Sequence, residues 1–296
     1  MGFSDFCRSF IFDANKSGMI GIEREFFITE GISRKPIPRS PEFLQHVKNK
    51  RWTYELSACQ VEDRTIPCEA FLVLEAELRR GSSLGRTAAL TMGCHLEAIE
   101  VAPLDMPKDI YPDEPRYEKI SSTLDAARLL SALRIAGTHI HYGVRNLEEA
   151  LRISNVLNAH IEELSKLGDG SRGERIKLYQ QVAQYPFAPQ YESTDHYYHT
   201  AREQGFDANP KNCWHLIRIN PQGTVEVRVF GTAFSRSKND QDINRIVDWA
   251  KRICDLVNLL LSPPPFPLFY RGNFCINFFL RCSSHIFPKL LHITSC

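Results

Sequence analysis

Long apolar runs are missing from this sequence. None approaches the roughly 18 consecutive apolar residues of a membrane-spanning helix, so the 296-residue chain predicts no membrane partner. The N-terminal stretch MGFSDFCRSFIFDANKSG is interrupted by Asp5 and Asp13 and lacks the unbroken apolar core of a secretory signal. Net charge is nearly absent as well: 36 Lys and Arg stand against 35 Asp and Glu, leaving +1. Attracting nucleic acid or an anionic membrane through the overall field takes a larger imbalance, so no nucleic acid is expected as a partner. Paired cysteines are missing too. The nine lie at 7, 59, 68, 94, 213, 254, 275, 282 and 296, with no CxxC and no repeated spacing. That scattered, odd set argues against a disulfide framework and predicts a reducing, cytoplasmic compartment with most thiols as small core residues. No HExxH or similar zinc spacing occurs, and no Ser, His and Asp set reads as a nucleophile relay. The last absence is local. Residues 262–296 contain no Asp or Glu, hold six of the 18 Phe and a PPPFP run, and carry no periodicity. The expected division is therefore a domain at 1–261 and an atypical C-terminal tail at 262–296.

The remaining chain, with 43% hydrophobic residues, suits a globular core. Strands are expected at 19–29, 52–62 (one strand or a pair), 94–103 and 137–144. Residues 215–220 and 224–230 predict a hairpin across Pro221, Gln222 and Gly223. Helices are expected at 69–80, ended by Gly81, and at 116–135, where Ile120, Leu124, Ala127, Leu130 and Leu133 make one apolar stripe. Another runs from 147 to 167, with Asn146 and Glu149 as a capping-box-like start and Gly168 as its stop. A last helix covers 240–261. Residues 169–213 are polar, aromatic and proline-spotted and read as long loops around a site.

The strands carry the chemistry. In GIEREFFIT, Ile20, Ile22, Phe26 and Ile28 fall on even positions, interrupted only by Arg24, while Glu23, Glu25 and Phe27 fall on odd ones. Alternation puts Glu23 and Glu25 on one side, roughly 7 Å apart. In GTHIHYG, His139 and His141 share a face. In TVEVRVF, Thr224, Glu226, Arg228 and Phe230 oppose Val225, Val227 and Val229. Glu55 and Glu62 are an odd number of residues apart and share a face only if a bulge or turn intervenes. Each pattern alone also reads blandly: ExE as a solvated face, HxH as surface or core histidine, ExR as a cross-strand ion pair. Antiparallel sheets can keep one face packed and one wet. If the polar faces adjoin, Glu23, Glu25, Glu55, Glu62, Glu226 and His139 converge. Five carboxylates in one pocket need compensation, which Mg²⁺ supplies through oxygen ligands. Arg228 and Arg218 then read as clamps for phosphate or carboxylate, the parts of a phosphoryl-transfer constellation.

GIEREFFIT, GTHIHYGV and TVEVRVFGT, in this order, resemble the glutamate–cysteine ligase-type carboxylate–amine ligases of the glutamine synthetase-like superfamily, over roughly residues 19–255. The resemblance implies an α+β fold: a curved, mainly antiparallel sheet whose open face holds ATP, two or three Mg²⁺ (or Mn²⁺) and an amino acid, with helices on the other face. It implies that Glu23, Glu25, Glu55, Glu62, His139 and Glu226 are metal ligands and that His141 contacts phosphate. It places Arg228 beside the transferred phosphoryl group, and makes Arg218 and Arg175 contacts to substrate or phosphate. The chemistry implied is amide formation through an acyl phosphate, with γ-glutamylcysteine from glutamate and cysteine as the expected product. The alternatives are an amidoligase for another amino acid, a polyamine or a peptide, and a relative that binds nucleotide without turnover. A homodimer is left open. His196, Tyr197, Tyr198 and His199 either line the substrate pocket or form a surface aromatic loop.

Overall fold

The computed structural model describes residues 1–233 and 241–261; the acid-free segment 262–296 lies outside the described residues. The strands are β1 (Ile20–Glu30), β2 (Trp52–Tyr54), β3 (Gln60–Arg64), β4 (Cys94–Glu97), β5 (Thr138–Gly143), β6 (Ile217–Asn220) and β7 (Thr224–Phe230). Among the described residues they form one sheet, ordered β2-β3-β1-β5-β7-β6, with β4 also paired to β1. Every pairing is antiparallel. The helices are α1 (Phe3–Arg8), α2 (Ser40–Val47), α3 (Phe71–Thr91), α4 (Pro115–Thr123), α5 (Ala126–Arg134), α6 (Leu147–Ala159), α7 (Ile161–Gly168), α8 (Glu174–Val182), α9 (Thr194–Glu203) and α10 (Gln241–Leu261). The fold is thus the expected α+β arrangement on an antiparallel sheet.

Alternation along the central strands sorts the two faces. Ile20, Ile22, Ile140, Ile217, Ile219, Val225 and Val227 join the main core, together with Leu74 and Leu78 of α3, Leu157 of α6 and Trp249 and Ile253 of α10. Full burial of each such side chain contributes about 1.5–3 kcal/mol, so this face anchors the sheet. The opposite face carries the carboxylates and is ringed by α4, α5 and α8. Four of the six described cysteines are buried, as expected. Burial pushes the thiols of Cys59, Cys68 and Cys213 up to about 11, which leaves them protonated and unreactive near neutrality.

Several elements differ from the sequence reading, each for a local reason. Gly81 does not end a helix: α3 runs through it to Thr91. Gly81 is buried, and a Cβ there would overlap the Asp63 carboxylate and the Arg51 guanidinium. The glycine therefore serves close approach, not termination. The expected 116–135 helix is two, because Leu124 is extended (ψ 138°) and the Asp125 carboxylate caps α5 through the amides of Ala127 and Arg128. The 147–167 helix breaks at His160, between α6 and α7. The expected loops at 169–213 contain α8 and α9, and the strand expected at 94–103 stops at Glu97. Phe230 does not share the face of Glu226. The β5–β7 register shifts between Thr138 and Ile140. This bulge resets the alternation, and Phe230 stacks on Trp249 at 4.9 Å.

Arg24, the interruption in the apolar face of β1, is explained by a buried charge network. It meets Asp63 at 2.5 Å, the Leu78 carbonyl at 2.9 Å and Ser82 Oγ at 3.0 Å. Arg51 completes the set through Asp63 at 2.5 Å and Glu77 at 3.2 Å. Two stability predictions follow from this packing. Gly81→Ala gains roughly 1 kcal/mol of helix propensity but must displace a buried ion pair, which costs several kcal/mol. A net loss of about 2–4 kcal/mol in urea denaturation is expected, and an unchanged midpoint would show that the network yields freely.

The second concerns His215, which is 1% exposed. Its Nε2 donates to Gln204 Oε1 at 2.7 Å and its Nδ1 lies 3.3 Å from the Tyr191 hydroxyl. Burial, with Arg218 nearby, lowers its pKa from 6.5 to about 4. The neutral form's contribution is therefore complete above pH 6.5 and is lost as pH falls through about 4. The difference between wild type and His215→Gln should change by about 3 kcal/mol across that window, at ~1.36 kcal/mol per pH unit. Parallel stability–pH curves for the two proteins would refute the assignment.

Candidate active site

The strand registers set the site. Glu25 stands opposite Glu62 on β3, Glu23 opposite His139 on β5, His141 opposite Glu226 on β7, and Glu226 opposite Arg218 on β6. These polar side chains form one line across five neighbouring strands. The β5–β7 bulge lies on β7 opposite His139, where Arg228 and Val229 stand against that one residue. One His139 nitrogen, Nδ1, lies 3.5 Å from Glu23 and 3.8 Å from Glu226, while Nε2 lies 3.4 Å from Glu25. Glu23, His139 and Glu226 can each offer a ligand atom within 4.8 Å of one another, and so can Glu25, Glu62 and His139. The turn between β2 and β3 answers the Glu55 question: its carboxyl reaches that of Glu62 in a hydrogen bond.

A cavity of about 400 Å³ covers this line, walled by Tyr117 and Ile120 of α4, Ala132 of α5 and Tyr179 of α8. All five expected carboxylates, His139, Arg175, Arg218 and Arg228 line it. His141 sits at the edge, with Nδ1 2.9 Å from Thr224 Oγ1 and Nε2 3.2 Å from Glu23, and faces an adjoining cavity. Arg218 forks onto Glu226, with Nε to Oε2 at 2.8 Å and Nη2 to Oε1 at 3.1 Å. Arg228 lies 3.5 Å from Glu226 and over the Tyr179 ring at 5.7 Å, and its buried Nε has no hydrogen-bond partner. Arg175 gives its donors to the carbonyls of Ala136, Val229 and Arg228, which makes it a brace for the strand ends. Gly137 lets that guanidinium lie against the backbone, and its amide donates to Glu25 Oε2 at 2.6 Å.

The sequence reading missed Asn220, whose Nδ2 donates to Glu226 at 2.7 Å. Its place two residues after Arg218 on β6 was the available signal. Tyr117 and Arg116 were missed because α4 carries them in from outside the sheet. The aromatic cluster is placed elsewhere: Tyr197 and Tyr198 lie on α9, packing on Phe6 of α1 with ring centroids 5.4 Å apart. None of His196, Tyr197, Tyr198 or His199 lines the carboxylate cavity. The helical period turns the two tyrosines into the core.

Charge is distributed unevenly along the line. Burial disfavours ionised Glu226 and Glu23. Even so, Arg218 and Arg228 hold Glu226 well below the usual carboxylate range, and His141 and His139 do the same for Glu23. At the other end burial prevails. It raises Glu25, with Glu55 adding to the effect, and raises Glu55, with Glu23 adding. Glu62 is driven up furthest, by burial and then by Glu23 and Glu55. An oxygen-rich set of short-spaced carboxylates with a deficit of positive charge and one imidazole fits a hard divalent cation.

Comparison with known proteins agrees with this geometry. Residues 19–162 match the family model described as glutamate-cysteine ligase family 2. Those residues, just under half of the chain, are similar to that family. A protein of Mycobacterium sp. (strain KMS), provisionally named glutamate–cysteine ligase 2-2, is 29% identical over 150 residues, 50% of this chain and 41% of the relative. One from Paenarthrobacter aurescens (strain TC1), provisionally named glutamate–cysteine ligase 2-3, is 27% identical over 150 residues and 34% of its length. The chain thus spans well under half the length of these relatives. A bifunctional glutathione synthetase from Pasteurella multocida overlays on 82% of this chain and 40% of its own, with TM-score 0.46 and 12% identity. The family match stops short of Glu226 and Arg228, and it is the β5–β7 ladder that joins them to the matched strands.

Glu62→Gln tests the charge deficit. Removing one crowded carboxylate should raise the melting temperature in chelator by about 2–4 °C, equivalent to roughly 1 kcal/mol. The same change should diminish the further rise that Mg²⁺ produces in wild type. A lower melting temperature in chelator would mean that Glu62 stabilises the fold and the deficit is not real.

Proposed function

We propose that this chain carries the catalytic site of an ATP-dependent carboxylate–amine ligase, with glutamate as the carboxylate substrate and cysteine as the amine. The observation that supports it most is the pair of carboxylate triads sharing His139, with Arg228 at their side. Glu23, Glu25, Glu55, Glu62, Glu226 and His139 would hold Mg²⁺ or Mn²⁺. Bound there, the ions supply charge neutralisation for the polyphosphate and its transferred group. The chain's own residues orient and neutralise. Arg218 and Asn220 lock the Glu226 carboxylate in one rotamer. Arg228 keeps an unused buried donor, suited to an equatorial phosphoryl oxygen. Tyr117, Ile120 and Tyr179 keep bulk water from the wall facing the sheet.

The reaction balances as two displacements. A substrate carboxylate oxygen attacks the γ-phosphorus of ATP, and ADP leaves with the bridging oxygen's electron pair. The amine nitrogen then attacks the acyl carbon, inorganic phosphate leaves carrying the former carboxylate oxygen, and the nitrogen releases one proton to solvent. Positioning supplies most of the acceleration such a site can offer.

The deciding assay is ADP release from ATP, Mg²⁺ and glutamate across a panel of amines that includes cysteine. Amine-dependent ADP formation should fall at least about 10²-fold in Glu226→Gln, and ¹⁸O from the glutamate carboxylate should appear in the phosphate. ATP binding without turnover for any amine would overturn the ligase reading.

A further inference from the structure

The carboxylate cavity does not end at α4. It continues into a second basin of about 660 Å³, and the two share Arg116, Ile120, Val182 and Trp214 as a common neck. The two spaces differ in charge. The first sets six glutamates against six Lys and Arg, whereas no residue lining the second is acidic. Arg116, Lys119 and Arg128 give the second basin its charge, and Trp214, Tyr185 and Phe206 give it flat apolar walls. Arg128 is fixed in place by the carbonyls of Gln181 at 3.1 Å and Val182 at 2.8 Å. Arg116 keeps a buried Nε without a hydrogen-bond partner.

We infer that the second basin seats the distal, anionic end of an extended amine acceptor, longer than a free amino acid. This inference rests on the ligase reading above and puts a longer acceptor in the place of free cysteine as its amine. An attacking amine belongs beside the carboxylates of the sheet. In a free amino acid the carboxylate is two bonds from that nitrogen, within one residue's length of about 3.8 Å, so it stays in the first cavity. An acceptor of dipeptide size reaches through the neck and brings its terminal carboxylate to Arg116, Lys119 and Arg128, where guanidinium groups recognise it bidentately. A polyamine of the same length would carry a distal ammonium into a wall of like charge. The rest of the nucleotide has room elsewhere. A cavity of about 790 Å³ adjoins the first at Glu23, Arg64 and Gln222, and carries Lys16, Lys50, Arg51 and Arg80 beside Asp13 and Glu77.

The test is equilibrium binding by calorimetry, which needs no turnover, so that failure of ADP release would strike the ligase reading alone. Alanylalanine, its C-terminal amide and spermidine are titrated into the wild-type chain and into Lys119→Glu, with Mg²⁺ and ATP present. Lys119 is exposed, so the variant should keep the wild-type melting temperature. Alanylalanine should bind wild type about tenfold more tightly than the amide or spermidine. That advantage should vanish in Lys119→Glu while ATP affinity is unchanged. Equal binding of the dipeptide and its amide to wild type would overturn the proposal. So would a Lys119→Glu protein that loses ATP affinity instead, since the basin would then belong to the nucleotide.

Discussion

Backbone pairing forces like charges together in this fold, and the rest of the molecule accommodates that. Directly opposed residues in an antiparallel pair have Cα atoms about 4.5–5.5 Å apart. Glu25 and Glu62 therefore face each other because the β1–β3 ladder puts them there. At such separations an unscreened carboxylate pair costs on the order of a few kcal/mol. The ladder persists because its other face is apolar: Ile20, Ile22, Ile140, Val225 and Val227 are all at most 4% exposed. Their burial contributes more than the repulsion removes. Histidines interleave with the acids along the line, since Glu23 meets His139 and Glu226 meets His141. From β1 through β5 and β7 to β6 the line thus alternates acid and base, whereas β3 and β1 set acid against acid.

The Arg24, Asp63 and Arg51 network lies under that line and fixes its register. Arg24 sits between Glu23 and Glu25, and Asp63 follows Glu62, so the pairing of Arg24 with Asp63 is one step from the pairing of Glu25 with Glu62. A slip of one residue would turn Glu25 and Glu62 into the core and put Arg24 in the cavity. A buried ion pair is a poor source of net stability. It is a strong penalty on the wrong register, because a slipped strand would leave Asp63 and Arg51 buried without Arg24. Gly81 permits this arrangement by letting α3 pass over the charges without a side chain. Gly137 does the equivalent on the carboxylate face, where Arg175 braces the ends of β5 and β7.

The period-two pattern made the sheet and most of its polar line legible. Glu23, Glu25, His139 and Glu226 follow from alternation, because each strand has one polar face. Phe230 escaped the same rule because a bulge is invisible to a period count. Glu55 required the β2–β3 turn, which sequence parity could only pose as a question. The helices were harder where a local interaction overrode the pattern. Asp125 starts a new helix by capping, although the apolar stripe continues through it. Arg218 was recognisable as a candidate from its guanidinium on a strand beside the acids, and Arg175 from the resemblance alone, but their partners were not. Arg218 spends its fork on Glu226, and Arg175 spends its donors on carbonyls. Partner choice depends on which strands become neighbours, and that is set by the whole sheet.

The uneven compensation along the line implies a division of labour between its ends. Around Glu226 the protein supplies its own cations, Arg218 and Arg228, and the carboxylate is ionised and held rigid without any ion. Around Glu25, Glu55 and Glu62 it supplies few, and burial there favours protons. A divalent cation gains most where the protein has left negative charge unmatched, so ion affinity should concentrate at the Glu62 end. The Glu226 end is preorganised already and can act on charge that arrives with a substrate. His139 belongs to both triads through its two ring nitrogens. An ion held by either triad would share this ligand with the other. A bulge re-aims side chains at the cost of ladder regularity; here it does so on β7 opposite His139, and parts Arg228 from Phe230.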